Sequence, residues 1–286
     1  MSYDLFFRPR SRDVSPEAFF DHFRQRAHYK VANRQAWYQN EDTGVYFVFE
    51  HDEAADNADR YPFSFNINFF RPSYFILEAE SEVTALITQF GFLVSDPEQR
   101  ETGDKEYRSE ALISGWRYGN EFGCAAAMKN KEDRPELAWL PTSRLHDVWR
   151  WNFGRESLQR ALGEAQFVPR IIFVRLSGAL VTAVVWPDGI PSVLPRVDYL
   201  VIGREEFAPR TIFRKRKDTV FVEWTEAEPF ITKHSSGKRN EGFDLDYANC
   251  PTDIAHFIRG LVRNKPSVSG MSPDQVLDSE LVEKYI

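Results

Sequence analysis

Cysteine is scarce in this chain: its 286 residues include only Cys124 and Cys250. The two do not form a C-x-x-C pair, so neither a thioredoxin-like redox site nor a zinc ribbon of that spacing is available. Neither has a histidine within sequence reach that could activate a thiolate. We therefore expect no metal site and no cysteine-based catalysis.

Long apolar runs are also missing. No stretch approaches the roughly 18 apolar residues that a membrane-spanning helix needs. Residues 1–8 carry Asp4 early and hold no long apolar segment, which is unlike a secretory signal peptide. These features predict a soluble, cytoplasmic protein that does not associate with membranes.

The common catalytic motifs are absent as well. The chain contains no G-x-x-x-x-G-K-[ST], G-x-G-x-x-G, H-E-x-x-H or G-x-S-x-G pattern. The nearest approach to a phosphate loop, residues 235–238, lacks the first glycine and the following hydroxyl residue. Common nucleotide, dinucleotide and zinc-protease chemistries are therefore disfavoured, and we predict no cofactor and no catalytic residue.

Aromatic residues are abundant, with 24 Phe, 11 Tyr and 7 Trp. Because each ring buries a large area, this composition predicts a thick hydrophobic core. The net charge is −7, and nucleic-acid binding needs clustered Lys and Arg, so no nucleic-acid partner is expected. An acidic balance instead favours a basic protein partner.

The first hundred residues predict alternating strands and helices. Phe63, Phe65 and Ile67 alternate with polar residues, the clearest strand signal in the chain. Ser15 and Pro16 indicate the start of a helix. Strands are predicted at residues 3–7, 35–38, 45–49, 63–69, 74–79 and 92–94. Helices are predicted from Ser15 and from Ser81 to Phe90, with Gly91 ending the second. The resulting order, β-α-β-β-β-β-α-β, is typical of an antiparallel α+β sheet.

The remaining chain predicts a helical segment followed by a second β-rich block. Helices are predicted at residues 107–128, 143–162 and 251–261 and from Ser272, with Gly154 a point where the second could break. The fold class is thus α+β, with two mostly antiparallel sheet lobes joined by a Trp-rich helical segment. The predicted division is an N-terminal lobe 1–100, a helical connector 101–165, a C-terminal lobe 166–263 and a tail 264–286.

A stripe of small residues is the most specific pattern in the chain. Its members recur every four residues along the predicted helix 107–128: Ala111, Gly115, Gly119, Gly123 and Ala127. A glycine inside a helix costs about 1 kcal/mol relative to alanine, so something must approach this helix backbone closely. We interpret the stripe as the contact for a tightly packed helix or strand, with a bound ligand as the alternative.

A polar-aromatic cluster follows the stripe. Trp and Arg dominate binding hot spots, so Trp149, Arg150 and Trp151 are candidates for contacting a partner. Candidate pocket residues are Trp116, Asn120, His146 and Asn152. The alternative is an interdomain core in which arginine stacks on tryptophan.

Two charged segments are candidate contact surfaces. The run 51–60 is acidic, and Asp52, Glu53, Asp56 and Asp59 could attract a basic partner, although such a run is commonly a solvated loop. It has no glycine and the wrong spacing for a calcium loop. The basic run 210–217 has no second basic tract to extend it, which disfavours a nucleic-acid footprint.

These observations favour a non-enzymatic protein-binding protein, for instance an inhibitor or a toxin-neutralising (immunity-type) protein. The alternative is an enzyme without a known motif, hydrolase-like, with a cleft between the two lobes. Asp244 and Asp246 are expected to share one strand face, and with His146 they are the candidate acids and bases for that alternative. A purely structural role is the third possibility, and no oligomeric state is predicted.

Overall fold

The computed structural model describes residues 1–10, 14–52, 61–97, 105–129, 138–209, 217–264 and 266–285. Within these ranges the chain forms seven α-helices and sixteen strands, and most strand pairs are antiparallel. The predicted α+β class is therefore confirmed. The chain divides into two compact units, Met1–Leu145 with Asp274–Ile286 and His146–Pro273. The lobe boundaries given above stay a prediction.

No helix in the described ranges combines the length and the apolar character needed to cross a membrane.

The first unit is built on a six-stranded antiparallel sheet. Its strands lie in the order β2-β3-β4-β5-β1-β6, so that β2 and β6 are the edges. The elements up to residue 140 are β1 (Ser2–Pro9), α1 (Pro16–Arg24), β2 (Tyr29–Ala32), β3 (Gln35–Asn40), β4 (Val45–His51), β5 (Phe63–Asn68), α2 (Tyr74–Phe90), β6 (Phe92–Ser95), α3 (Ser109–Lys129) and β7 (Ala138–Leu140).

One face of this sheet forms the core of the first unit. Phe63, Phe65 and Ile67 of β5 are almost completely buried, as their alternation with polar residues predicts. Phe19 of α1 stacks on Phe63 with ring centroids 4.3 Å apart, and Phe23 stacks on Phe49 at 4.8 Å. The aromatic richness of the sequence is thus concentrated between this sheet face and its helices.

Helix α2 corrects one prediction. Residues 74–79 are helical, not a strand, and Ser81 lies inside the helix, where its Oγ donates to the Glu78 carbonyl at 2.8 Å. A short apolar run fits a buried strand and a buried helix equally well, which explains the error. The helix ends at Gly91 with φ +65°, as predicted, because glycine adopts the left-handed conformation without strain.

The small-residue stripe lies on α3 and is covered by side chains, as predicted. A Cβ built on Gly115 would lie 2.9 Å from the Tyr3 hydroxyl oxygen, and one on Gly119 only 2.2 Å from Cζ of Phe69. At Gly123 the nearest atom is Cβ of Phe69, at 3.3 Å. The glycines therefore allow two aromatic side chains to pack on bare main chain.

The second unit holds a five-stranded sheet, β12-β11-β9-β8-β15, and a three-stranded sheet, β10-β14-β13. In the five-stranded sheet β9 and β11 are parallel. The elements are α4 (Thr142–Leu162), which begins in the first unit, β8 (Ile172–Leu176), β9 (Ala179–Val185), β10 (Ser192–Leu194), β11 (Tyr199–Arg204), β12 (Asp218–Glu223), α5 (Trp224–His234), β13 (Lys238–Arg239), β14 (Gly242–Leu245), α6 (Thr252–Gly260) and β15 (Val268–Met271).

A buried ion pair ties α6 to the five-stranded sheet. Nε and Nη2 of Arg204 each lie 2.8 Å from one carboxylate oxygen of Asp218, and both side chains are almost completely buried. Nη1 of Arg204 donates to the carbonyls of Ile258 and Leu261 at 3.0 and 2.9 Å. The guanidinium thus caps two carbonyls at the C-terminal end of α6, where helical hydrogen bonding ends.

The C-terminal segment returns to the first unit. The helix predicted from Ser272 is instead a 3₁₀ turn, Pro273–Gln275, followed by β16 (Val276–Asp278) and α7 (Ser279–Val282). Strand β16 pairs in parallel with β7. Leu277 and Val282 are fully buried in one cluster with Cys124 and Met128 of α3, so the chain terminus is part of the core.

Two helix glycines make a matched test of this packing. We expect Gly119→Ala to lower the free energy of unfolding by about 2 kcal/mol, because the new methyl group overlaps Phe69. Gly154→Ala in α4 meets no atom within 4 Å and should raise it by about 0.5–1 kcal/mol through helix propensity. Urea unfolding of both variants measures this. Equal stabilisation by both would contradict the packing role of the stripe.

Candidate functional site

The β2–β3 hairpin places a concave surface at one edge of the first unit. Asn33 and Arg34 form its two-residue turn with φ of 50° and 63°, the conformation that a type I′ hairpin requires. Residues between 28 and 46 line a groove of about 690 Å³. We call it the Trp37 groove, after the most exposed of its four aromatic side chains, Tyr29, Trp37, Tyr38 and Tyr46.

Trp37 lies on the sheet face opposite the core and is 46% exposed. Its Nε1 donates to Oε1 of Gln35 at 2.9 Å, and the Gln35 amide nitrogen donates in turn to the Glu50 carboxylate. This chain of hydrogen bonds fixes the indole plane while leaving much of the ring accessible. An aromatic ring held in this way can contact a partner with little loss of conformational entropy.

The Tyr46 ring is held in place by the guanidinium of Arg71. Nε and Nη2 of Arg71 donate to the Tyr46 hydroxyl at 2.9 and 2.5 Å, and the guanidinium carbon lies 5.5 Å from the ring centroid. Arg71 also lies 3.7 Å from a carboxylate oxygen of Asp274. The ring is therefore anchored to the C-terminal segment as well as to its own strand.

Tyr38 is anchored by a buried carboxylate. Its ring stacks on Phe47 at 4.4 Å, and its hydroxyl donates to Oε1 of Glu78 at 2.7 Å. Asn40 and Thr43 donate to the same oxygen at 2.9 and 3.0 Å. Burial and the neighbouring Glu78 charge raise the pKa of the Tyr38 phenol well above its usual value, and this side chain anchors β3 on its core face, behind Trp37.

Tyr29 is held by a second carboxylate. Its hydroxyl donates to Oε2 of Glu82 at 3.0 Å, and Arg26 donates to both oxygens of Glu82 at 2.8 and 2.9 Å. Burial, and next the Glu82 charge, raise the pKa of the Tyr29 phenol well above its usual value. Tyr29 and Tyr38 are thus fixed on the core face of the hairpin, and Trp37 and Tyr46 on its outer face. Lys30 and Glu41 add one charge of each sign to the groove.

The acidic candidates lie largely outside the described residues. Of the four, only Asp52 is described; it is exposed, and its N–H donates to the Pro62 carbonyl at 2.9 Å. Glu53, Asp56 and Asp59 lie in the range 53–60, outside the described residues, as do positions 210–216 of the basic run. Their proposed contacts with a partner stay predictions.

The candidates on α4 occupy different environments in the second unit. Trp151 is only 8% exposed, and its Nε1 donates to the Pro169 carbonyl at 2.8 Å. Trp149 is half-buried, with ring centroids 5.8 Å from Phe153 and 6.4 Å from His146. Arg150 is exposed and lies 3.2 Å from a carboxylate oxygen of Asp147. Their role in binding a partner stays a prediction.

The pocket candidates divide between the units. Trp116 is fully buried in the first unit, where its Nε1 donates to the Asn68 carbonyl at 3.2 Å, and Asn120 bonds both the N–H and the C=O of Arg71. In the second unit Asn152 bonds Ile171 in the same double fashion. The two asparagines each hold one residue of a connecting segment. The pocket role of the four candidates stays a prediction.

The two candidate acids do not share a strand face. Strand β14 ends at Leu245, so Asp246 lies beyond it and is exposed. Asp244 is buried, and its oxygens accept from Arg239 at 2.8 and 2.9 Å and from Gln166 at 2.5 Å. The expectation that both carboxylates point the same way is wrong, because the strand is too short to hold both.

A histidine–carboxylate pair escaped the sequence analysis. Nε2 of His234, at the end of α5, lies 2.8 Å from Asp253 at the start of α6, and Lys233 adds a contact at 2.7 Å. Hydrogen bonds from Lys233 and His234 hold the pKa of Asp253 well below its usual range. Among the described residues no group of three or more His, Cys, Asp or Glu is placed to hold a metal ion.

Comparison with family models, curated proteins and solved structures finds no match to this chain.

Buried phenols make the first unit sensitive to alkali. The pKa values of Tyr29, Tyr38, Tyr74 and Tyr107 are all raised, first by burial. The folded state therefore keeps protons that the unfolded state loses, so the free energy of unfolding should fall as pH rises above about 10 and not below it.

Absorbance titration of tyrosinate tests this expectation. These four of the 11 tyrosines should ionise only as the protein unfolds, at the pH where the near-ultraviolet circular dichroism is lost. In Tyr38→Phe, one phenol fewer should ionise in this unfolding transition. Independent ionisation of all tyrosines near pH 10 with the fold intact would contradict the anchored groove.

Proposed function

We propose that this protein acts by binding another protein and that the Trp37 groove is its recognition surface. The observation that carries the proposal is the 46% exposed indole of Trp37, which Gln35 holds on the same sheet face as the anchored ring of Tyr46. Tryptophan and tyrosine are the residues most enriched at binding hot spots.

The groove has the layout of an interface centre. Trp37 and Tyr46 offer apolar area on the outer face, while Lys30, Gln39 and Glu41 supply polar groups around them, and interfaces commonly combine an aromatic core with a polar rim. Because Gln35 and Arg71 already fix the rings of Trp37 and Tyr46, a partner need not order these two rings on binding. Such preorganisation increases affinity.

The overall charge narrows the class of partner. A net charge of −7 favours the approach of a basic protein by long-range attraction, and the acidic run at residues 51–60 follows β4 of the same sheet in sequence. An inhibitor or toxin-neutralising protein works by such binding alone, without chemistry, and we propose this class.

A pair of equally exposed aromatic residues tests the proposal. Trp37→Ala should weaken binding of the natural partner by about 2 kcal/mol or more, about 30-fold in Kd. Phe153→Ala removes a ring that is 48% exposed but lies in the second unit, and it should change Kd less than about threefold. Tm values of both variants control for folding.

In-cell photo-crosslinking identifies the partner for this measurement. A photoreactive residue at Gln39 should form an adduct with the partner protein, whereas the same residue at the exposed position Glu226 of α5 should not. Adducts from Glu226 alone, or an unchanged Kd in Trp37→Ala, would exclude the groove as the recognition surface.

A further inference from the structure

We infer that the partner supplies an extended segment that adds beside β2 as a seventh strand of the sheet. The inference rests on the proposed function, because it states how a partner would engage the Trp37 groove. It is drawn from backbone groups at the edge of the sheet, which are distinct from the aromatic side chains discussed above.

The pairing of β2 determines which of its backbone groups face outward. Ala32 pairs with Gln35 across the two-residue turn and Lys30 with Trp37, and the N–H of Gln39 donates to the His28 carbonyl at 2.9 Å. In an antiparallel ladder such hydrogen-bonded positions alternate with non-bonded ones. The N–H and C=O of Tyr29 and Val31 therefore point away from β3.

These outward groups form an open template. Strand β2 is an edge of the sheet, and within the described part of the chain the structure gives the backbone of Tyr29 and Val31 no hydrogen-bond partner. An unpaired edge can bind an extended segment through main-chain hydrogen bonds, with side-chain pockets providing specificity. Here the Trp37 groove lies directly beside that edge.

The positive charge of Lys30 on the edge strand β2 favours one kind of residue in the partner segment. Lys30 is exposed, faces the groove side with Trp37, and pairs with no carboxylate among the described residues. On the outer side of β2 it occupies a non-bonded position, where opposed side chains approach most closely. An acidic residue opposite Lys30 would be stabilising, so we infer a partner segment with Asp or Glu at that position.

A second copy of this chain fits the edge less well. Antiparallel pairing of two β2 strands about a two-fold axis at Lys30 would align the outward groups of Tyr29 with those of Val31 and place Lys30 opposite Lys30 of the other copy. Like charges directly opposed across a strand pair are destabilising, and an edge lysine is a known protection against self-pairing. In this register the same residue that disfavours self-association favours one acidic residue opposite it, which a partner of net positive charge can supply.

Peptide selection on the full-length protein tests the inference with a defined probe. The probe is a displayed library of randomised peptides of about nine residues, longer than a typical strand. Wild-type protein should enrich peptides rich in β-branched or aromatic residues with Asp or Glu at one position. Lys30→Glu should shift that position to Lys or Arg.

Two variants of Val31 separate backbone from side-chain recognition. Val31→Pro removes an outward N–H without removing a bond to β3 and should abolish enrichment, whereas Val31→Ala keeps the N–H and should select the same peptides as wild type. Tm values of both variants control for folding. With an enriched peptide bound, amide exchange at Tyr29 and Val31 should slow by about tenfold or more, and more than at Lys30 and Ala32.

Several results would overturn the inference. The first is that the wild-type protein enriches no peptide. The second is that Val31→Pro selects the same peptides as wild type. The third is that Lys30→Glu does not reverse the charge preferred at the position opposite residue 30. A wild-type dimer that Val31→Pro dissociates would replace the peptide segment with a second copy. If the natural partner is lost in Trp37→Ala but retained in Val31→Pro, only the strand-addition inference fails; if it is retained in both, the proposed function fails too.

Discussion

The buried carboxylate of Glu78 is the constraint on which the first unit and its groove depend. It is only 1% exposed, and its Oε1 accepts hydrogen bonds from Tyr38, Asn40 and Thr43. A buried charge is tolerated only when it is hydrogen-bonded, so α2 must keep these three donors in place. Because all three lie on β3 or the turn after it, this one oxygen fixes the hairpin to the helix and orients the Tyr38 ring on the core face of β3.

Carboxylates from the far end of the chain serve a similar purpose. Asp278 accepts from the N–H and Oγ of Ser73 at 2.7 and 2.6 Å, and Glu280 accepts from the N–H of Thr142 at 2.9 Å. Ser73 precedes α2 and Thr142 begins α4, so both acids face helix N-termini, where negative charge is stabilising. The first unit therefore needs the C-terminal segment both for its core and for the start of the helix that carries Glu78.

Sequence patterns predicted the fold well where the pattern itself has a physical cause. The alternation in β5 follows from a half-buried sheet, and the α3 glycines follow from close packing of Phe69. The predicted order of the first eight elements equals the observed one, but two errors cancel: residues 74–79 are not a strand, and β2 was missed. No local pattern revealed that Asp278 and Ser73, 205 residues apart, would meet.

The groove escaped prediction for a related reason. Its turn uses Asn33 and Arg34 in left-handed conformations instead of the Asn-Gly or Gly-Gly pairs that signal a hairpin, so β2 carries little sequence signal. Residue type alone also does not distinguish Trp37, which is 46% exposed, from Trp151, which is 8% exposed. What distinguishes them is the element opposite: Trp151 packs on Gly242, which leaves it room inside the second unit, whereas Trp37 pairs with Lys30 on an edge hairpin. The exposure of a tryptophan is thus decided by its tertiary neighbours and not by its residue type.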